Sequence, residues 1–466
     1  MLLLFISCST EQDKNSIPYP KEEWNGVQGK TLEDSKPDFI GPKKAPKGAP
    51  NVLIIMLDDA GYSDASSFGG GMRTPTFDRI GDEGIRYTHM TVQAVCSPTR
   101  GALLTGYNIH TIGTGIISEF ATGYPGYNSQ MDYTTPSIAK ILTDNGYSTA
   151  AFGKWHNTPM EEASPVGPFR FWPTGMWGFE YVWGFIGGET NQFHPLLYEN
   201  NTPIETPKIN ADGSTFHLSH GMADKCIWWL DNWNALSENP FFVYFAPGAI
   251  HAPLQVPKEW RDKYKGKFDQ GWDGYREEVL ARQKRLGIVH EDAKLVPRPE
   301  TIPAWDSFSE EGKKYLSRQM EINAAFLEHV DFHIGRVIYH LEEMGELDNT
   351  LIIYLMADNG ATAEGTPTGT VSELLMQNGF PPLTMEQQLE LLERYGGIEE
   401  WGGPNLANHF SVAWAWSTST PFQWTKQMAS HFGGTVSATS IRYPKLINAR
   451  GEWRNQFQHA TDIVPT

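Results

Sequence analysis

The sequence predicts an α/β fold, a large and mostly parallel sheet sandwiched by helices. Three observations lead there: short apolar runs bounded by turn residues recur along the chain, amphipathic stretches separate them, and the runs are too short to stand as helices. The 466 residues include 40% hydrophobic and 12% aromatic side chains, enough for an extensive core. No window approaches the ~18 consecutive apolar residues of a membrane span. The net charge of −18 offers no electrostatic footprint for nucleic acid. An anionic substrate would therefore need cations gathered locally.

The N-terminal "MLLLFISC" ends at Cys8 in a pattern like the signal end at which bacterial lipoproteins are lipidated, although the run is short and lacks a preceding basic residue. Residues 1–8 are read as a lipoprotein-like signal remnant, which places the protein in a bacterial cell envelope, periplasmic or anchored to the outer membrane through a lipidated Cys8. Residues 9–50, rich in Pro, Lys, Glu and Gly without an apolar period, read as a tether or wrapping arm. From 51 to 466 the chain reads as one catalytic region without internal repeats.

Within that region the strand candidates are "NVLIIML" (51–57), "YSTAAF" (147–152), "NPFFVYFA" (239–246) and "NTLIIYLMA" (349–357). The clearest helix spans 318–347, where Phe326, Val330, Ile334, Val337, Leu341 and Met344 form one stripe. Each strand candidate is followed by polar or charged residues: Asp58-Asp59, then Lys154 and His156, then His251, then Asp358-Asn359. Singly, such residues are ordinary caps, turns or solvated loop positions. Jointly they place ligating groups at the carboxyl ends of four buried strands, where open α/β sheets bind ligands.

Asp58, Asp59, Asp358 and Asn359 offer oxygen donors only, which suits Ca²⁺, or less well Mg²⁺, rather than zinc. Lys154, His156, His251 and Arg100 add donors and proton carriers fit for a tetrahedral anion. Of three cysteines, Cys226 in "DKCIWWLDNW" reads as a buried structural thiol beside Ile227, Leu230 and Trp233. A Cys96–Cys226 disulfide stays open from sequence, though three cysteines make no disulfide framework. Cys96 sits in "CSPTRGALLTG", just before a short helix that Pro98 helps to start and whose N-terminus favours an anion. A soft thiolate is the wrong partner for a hard cation. The working group at 96 is then an oxygen species made from the cysteine.

"CSPTRGALLTG" resembles the signature C-x-P-x-R of the type I sulfatases, in the alkaline phosphatase superfamily. "LDDAGYSD", "GKWH", "HAP", "ADNG" and "FQWTKQMASHFGG" follow in that family's order, and the resemblance, nearest to bacterial arylsulfatases, runs from about 51 to the last residue. It implies hydrolysis of sulfate monoesters, with Cys96 converted to formylglycine by a generating enzyme and the hydrated aldehyde as nucleophile. It implies one calcium ion bound by Asp58, Asp59, Asp358, Asn359 and the modified residue 96. Arg100 would stabilise that residue, Lys154 would bridge it to sulfate, and His156 would act as base. His251 and Lys426 would bind sulfate and assist the leaving alcohol, Lys426 resting mostly on the resemblance.

The same pattern leaves two rivals: a phosphonate monoester hydrolase or phosphodiesterase of the superfamily, and a non-catalytic sulfated-glycan binding protein. The aromatic stretch 169–185 reads either as a substrate pocket or as packing beneath a loop-rich lid. Because the chain stops at "QFQHATDIVPT", the smaller antiparallel-sheet region expected at the C-terminal end is expected to be missing or truncated.

Overall fold

A computed structural model describes residues 24–39 and 43–466. Among these, eleven strands form one sheet: β1 (Asn51–Met56), β2 (Ile85–Thr91), β3 (Ser148–Lys154), β4 (Tyr181–Phe185), β5 (Leu197–Glu199), β6 (Thr202–Ile204), β7 (Phe241–Ala246), β8 (Thr350–Leu355), β9 (Val436–Arg442), β10 (Glu452–Arg454) and β11 (Gln458–His459). Their order is β10-β2-β9-β8-β1-β7-β3-β4-β5-β6, with β11 also on β2. All four strand candidates are present. The central run β8-β1-β7-β3-β4 is parallel, as crossovers through helices require.

Two expectations about the sheet are corrected. It is mixed rather than mostly parallel: β9 runs antiparallel between β8 and β2, and β5 and β6 add antiparallel pairings at the opposite edge. Nor is the antiparallel part at the C-terminal end missing, since β9 through β11 complete that side of the sheet up to His459. The cause is physical. "VSATSIR" of β9 alternates small and polar residues, and β10 and β11 are three and two residues long. None carries the apolar run by which a buried strand is recognised.

Helices cover both faces. In β1, Leu53 and Ile55 face one core while Ile54 and Met56 face the other. Full burial of each such side chain contributes about 1.5–3 kcal/mol. The first core centres on the helix Glu310–Glu343, capped by Ser309 accepting from the Gly312 N–H. It begins eight residues before the predicted 318–347, because its polar first turn hides Tyr315 and Leu316, both buried. The second core takes the aromatic stretch: Phe171, Trp172, Trp177 and Phe179 are all buried there, so packing, not a pocket, accounts for them.

Ala45 and Ala49 of the N-terminal arm lie against this second core, and Val27 and Lys36 pair as an isolated antiparallel bridge. Cys8 and the expected signal remnant lie outside the described residues. Among the described residues no helix is long and apolar enough to cross a membrane.

Candidate active site

Because β8, β1, β7 and β3 are adjacent and parallel, their carboxyl ends open on one rim. Asp58-Asp59 follow β1, Lys154 ends β3, His156 comes two residues later, His251 lies in the loop after β7, and Asp358-Asn359 follow β8. The helix Cys96–Thr105 brings Cys96 and Arg100, and the loop before β9 brings Lys426. Asp59 and His156 adopt left-handed backbone conformations, φ 62° and 61°, uncommon for residues with a Cβ and held only where surroundings enforce them.

The rim is buried and charged, and each charge is matched. Lys154 Nζ donates to Asp58 Oδ2 (2.7 Å), Lys426 Nζ to Asp59 Oδ2 (3.0 Å), and Arg100 Nε to Asp358 Oδ2 (2.8 Å). Burial opposes ionisation of Asp59, yet Lys426, His251 and Lys154 outweigh it and hold the carboxyl well below its usual range. Lys154 is pushed up: burial disfavours its charge, but Asp58 more than compensates. Lys426 is likewise driven up by Asp59 against the cost of burial.

Against this matching, three buried oxygens have no hydrogen-bond partner: Asp58 Oδ1, Asp358 Oδ1 and Asn359 Oδ1. Asn359 Nδ2 donates to Asp59 Oδ1 (2.7 Å), which fixes its amide so that the oxygen points away from that carboxylate. Ligand atoms of Asp58, Asp59, Cys96 and Asp358 lie within 4.8 Å of one another, and so do those of Asp59, Cys96 and His251. Unpaired buried acceptors are costly. The converging ligand atoms of Asp58, Asp59, Cys96 and Asp358, beside unpartnered oxygens, fit a divalent cation and make this a metal-ligating cluster.

Cys96 is the first residue of its helix rather than preceding it, with Val95 extended as N-cap. The helix closes at Gly106 in the left-handed region (φ 73°), a conformation that favours glycine. All ten helical residues are buried. Burial first, then Asp358, push the Cys96 thiol far above its ordinary value, so it stays protonated and poorly nucleophilic. Cys96 and Cys226 are both free thiols.

His251 Nδ1 donates to the Ala252 carbonyl (2.8 Å), which orients the ring with Nε2 3.5 Å from both Lys426 Nζ and Asp59 Oδ2. On the other side, His156 Nε2 donates to Glu119 Oε2 (2.6 Å), while its Nδ1 is buried without a partner. Burial and then Lys154 push His156 down to about 4.

All ten sequence-assigned positions therefore meet at one rim. Sequence reasoning missed Glu119, Glu364, whose Oε2 lies 3.4 Å from Lys426 Nζ, and Tyr244, which reaches Arg100. Glu119 and Glu364 sit in loops with no distinguishing pattern, and Tyr244 reads only as a buried strand residue.

The sulfatase family profile matches residues 50–466. An uncharacterized sulfatase of Schizosaccharomyces pombe is 34% identical over 441 residues, covering 91% of this chain and 75% of that protein. An arylsulfatase of Klebsiella aerogenes is 31% identical over 384 residues, covering 80% and 78%. The crystal structure of Ps i-CgsB shares the fold at 20% identity with a TM-score of 0.58, covering 90% of this chain and 70% of that one.

Proposed function

Because this chain belongs to the sulfatase family, its activity is hydrolysis of sulfate esters, and we propose that it acts as an arylsulfatase-type enzyme on a calcium site. Asp58, Asp59, Asp358 and Asn359 would hold the ion beside residue 96, converted from cysteine to formylglycine. The observation that carries this reading is the set of three unpartnered buried oxygens among carboxylates at that point. They are hard oxygen donors of the kind Ca²⁺ takes, with further oxygens needed to complete its shell. When bound, the ion supplies positive charge that favours an ionised oxygen nucleophile and binds sulfate oxygens.

The chain's own groups do the rest. Arg100, gripping Asp358, would orient the modified side chain, and Lys154 would draw a sulfate oxygen toward it. Lys426 and His251 would hold the sulfate from the opposite side, with His251 Nε2 within reach of the leaving alcohol. His156 Nδ1, free and neutral, would accept a proton. Pairing these cations with carboxylates in the free protein keeps them charged and oriented before substrate arrives.

The maturation partner in this reading is a formylglycine-generating enzyme. Residues 51–466 form the catalytic region, 9–50 the tether and 1–8 the signal remnant, with the protein anchored in the cell envelope through Cys8. Radiolabelled palmitate should enter the intact chain and be lost in Cys8→Ala.

The decisive experiment pairs mass spectrometry of the peptide containing Cys96 with assays of one sample. Co-expression with the generating enzyme should remove about 18 Da from that peptide, the thiol-to-aldehyde change. The same sample should then cleave an aryl sulfate faster than an aryl phosphodiester. A modified protein that prefers the diester would overturn the arylsulfatase assignment.

A further inference from the structure

The resemblance gives His156 a role but leaves open what makes one of its two nitrogens the reactive one. His156 ends a short segment after β3, where its N–H donates to the Ile186 carbonyl (3.0 Å) and its backbone is left-handed. Its carbonyl accepts from Ser118 Oγ (3.2 Å), and its ring meets the neighbouring Glu119, both from the 3-10 turn Ser118–Phe120. That turn belongs to a Gly- and Tyr-rich loop with no assigned part in the chemistry.

Both carboxylate oxygens of Glu119 are engaged. Oε2 accepts from His156 Nε2 (2.6 Å) and Oε1 accepts from the Gly188 N–H (3.2 Å). Gly188 also leaves the room this arrangement needs, since a Cβ there would come within 2.8 Å of His156 Cε1 and Nε2. Glu119 is ionised: burial favours its neutral form, but the hydrogen bond and charge of His156 hold it at about 2. A carboxylate only accepts, so Nε2 carries the imidazole proton and the lone pair is on Nδ1. Nδ1 is buried and unbonded.

We propose that Glu119 is a positioning residue for the reaction, fixing His156 as the tautomer whose Nδ1 lone pair serves the rim and steadying the imidazolium once Nδ1 takes its proton. The inference rests on the reading of His156 as base. The Nε2 proton stays on the ring throughout, and Glu119 remains a carboxylate. Lys154 and Arg100 press the other way on the imidazolium, so the acidic partner sets how much of His156 basicity survives.

The test uses the full chain matured with the generating enzyme, in four forms: wild type, Glu119→Ala, Glu119→Gln and His156→Ala. Nitrogen-15 histidine spectra at neutral pH, with the His156 resonance identified by its loss in His156→Ala, should show a protonated Nε2 and a bare Nδ1 in the wild type. Glu119→Ala should mix the tautomers, lower kcat by about tenfold to a hundredfold, and leave KM nearly unchanged, less than the about 10²–10⁴-fold range for losing a general base. The acidic limb of its kcat profile should move to lower pH, because the imidazolium has lost its counter-charge. Glu119→Gln keeps an acceptor of the same shape and should recover the single tautomer and part of kcat, yet keep the shifted limb. A merely structural glutamate would not move that limb. Protonated Nδ1 in the wild type overturns the proposal. So does wild-type kcat with an unmoved limb in Glu119→Ala while His156→Ala is inactive, and that result leaves the base assignment standing. Full activity in His156→Ala rejects the base assignment itself.

Discussion

Two buried clusters of ionisable side chains meet the cost of burial in opposite ways. At the rim, buried carboxylates and cations are paired, as Lys154 is with Asp58 and Arg100 with Asp358, and such pairing favours the charged forms of Lys154, Lys426 and Asp59. The second cluster lies where the helices Leu218–Leu236 and Glu310–Glu343 pack together, and joins His217, His220, His329 and His333. Ring centroids there are 4.4 Å apart for His217 with His329 and for His220 with His333, and 4.5 Å for His329 with His333. Arg336 Nη1 donates to His333 Nδ1 (3.2 Å), so His333 Nε2 donates to His329 Nε2 (3.1 Å). His217 donates from Nε2 to the Gln255 carbonyl (3.1 Å).

Among the described residues no carboxylate pairs with His217, His329 or His333; Asp224 and Asp212 reach only His220 of the four, and Asp224 is already taken by Arg336. Burial therefore keeps these rings neutral, His217 pushed down to about 4 and His333 to about 2, with His220 adding to both and Arg336 to the second. A matched cluster stores fixed charge for an anion. An unmatched one becomes packing that fails when protons arrive.

The largest effect expected is at the rim. Cys96→Ala should cut aryl sulfate turnover by about 10³-fold or more without unfolding the protein, read by steady-state assay beside thermal melting. Retained turnover would remove position 96 from the chemistry. Asp358→Ala should come next: it strips a metal ligand and leaves Arg100 buried beside Asp58 at 3.7 Å, costing about 3–5 kcal/mol. Elemental analysis of the purified variant should show calcium lost, and denaturant unfolding should show the instability; unchanged metal content would move the site elsewhere.

The histidine cluster should respond to pH instead. Its folded values lie below the 6.5 of the unfolded chain, so the unfolded state binds protons first. Stability is then complete above pH 6.5 and falls, for His217, as pH drops from 6.5 toward 4, by about 1.4 kcal/mol per unit for each such group. His333→Leu should flatten the difference in urea unfolding between pH 7 and pH 5; an unchanged slope would show that the cluster does not drive it. The smallest effect belongs to Cys226→Ala, in the same helix as His220. It should cost about 1 kcal/mol and leave turnover untouched, which separates the buried thiol that packs from the one that reacts.

The contrast also explains what could be read beforehand. Most rim residues were legible because they follow an apolar run, so β1 announces Asp58 and β8 announces Asp358, whereas Cys96 and Arg100 were read from their helix-start motif and Lys426 from the resemblance. The strands β9 to β11 were not, since pairing with β2 and β8 makes them strands where their own sequence does not. Glu119 was hidden because a glutamate in a glycine-rich loop gains meaning only through the ring it touches. His217 and His220 lie three residues apart at the start of one helix and His329 and His333 four apart in the other, but nothing local says that the two pairs face one another.

The helix Cys96–Thr105 is buried along its whole length, and the loop carrying Lys426, far along the chain, is tied beside its start by the Gln427 N–H donating to the Ala94 carbonyl (2.8 Å). With Cys96 only 1% exposed, an enzyme acting on its side chain would need the chain open at this point. On the proposed reading of residue 96, conversion would then have to come before folding buries the side chain. Unmodified protein that has already folded should resist the generating enzyme until denatured, so yield of active material is set by a race between two clocks rather than by affinity at the finished site.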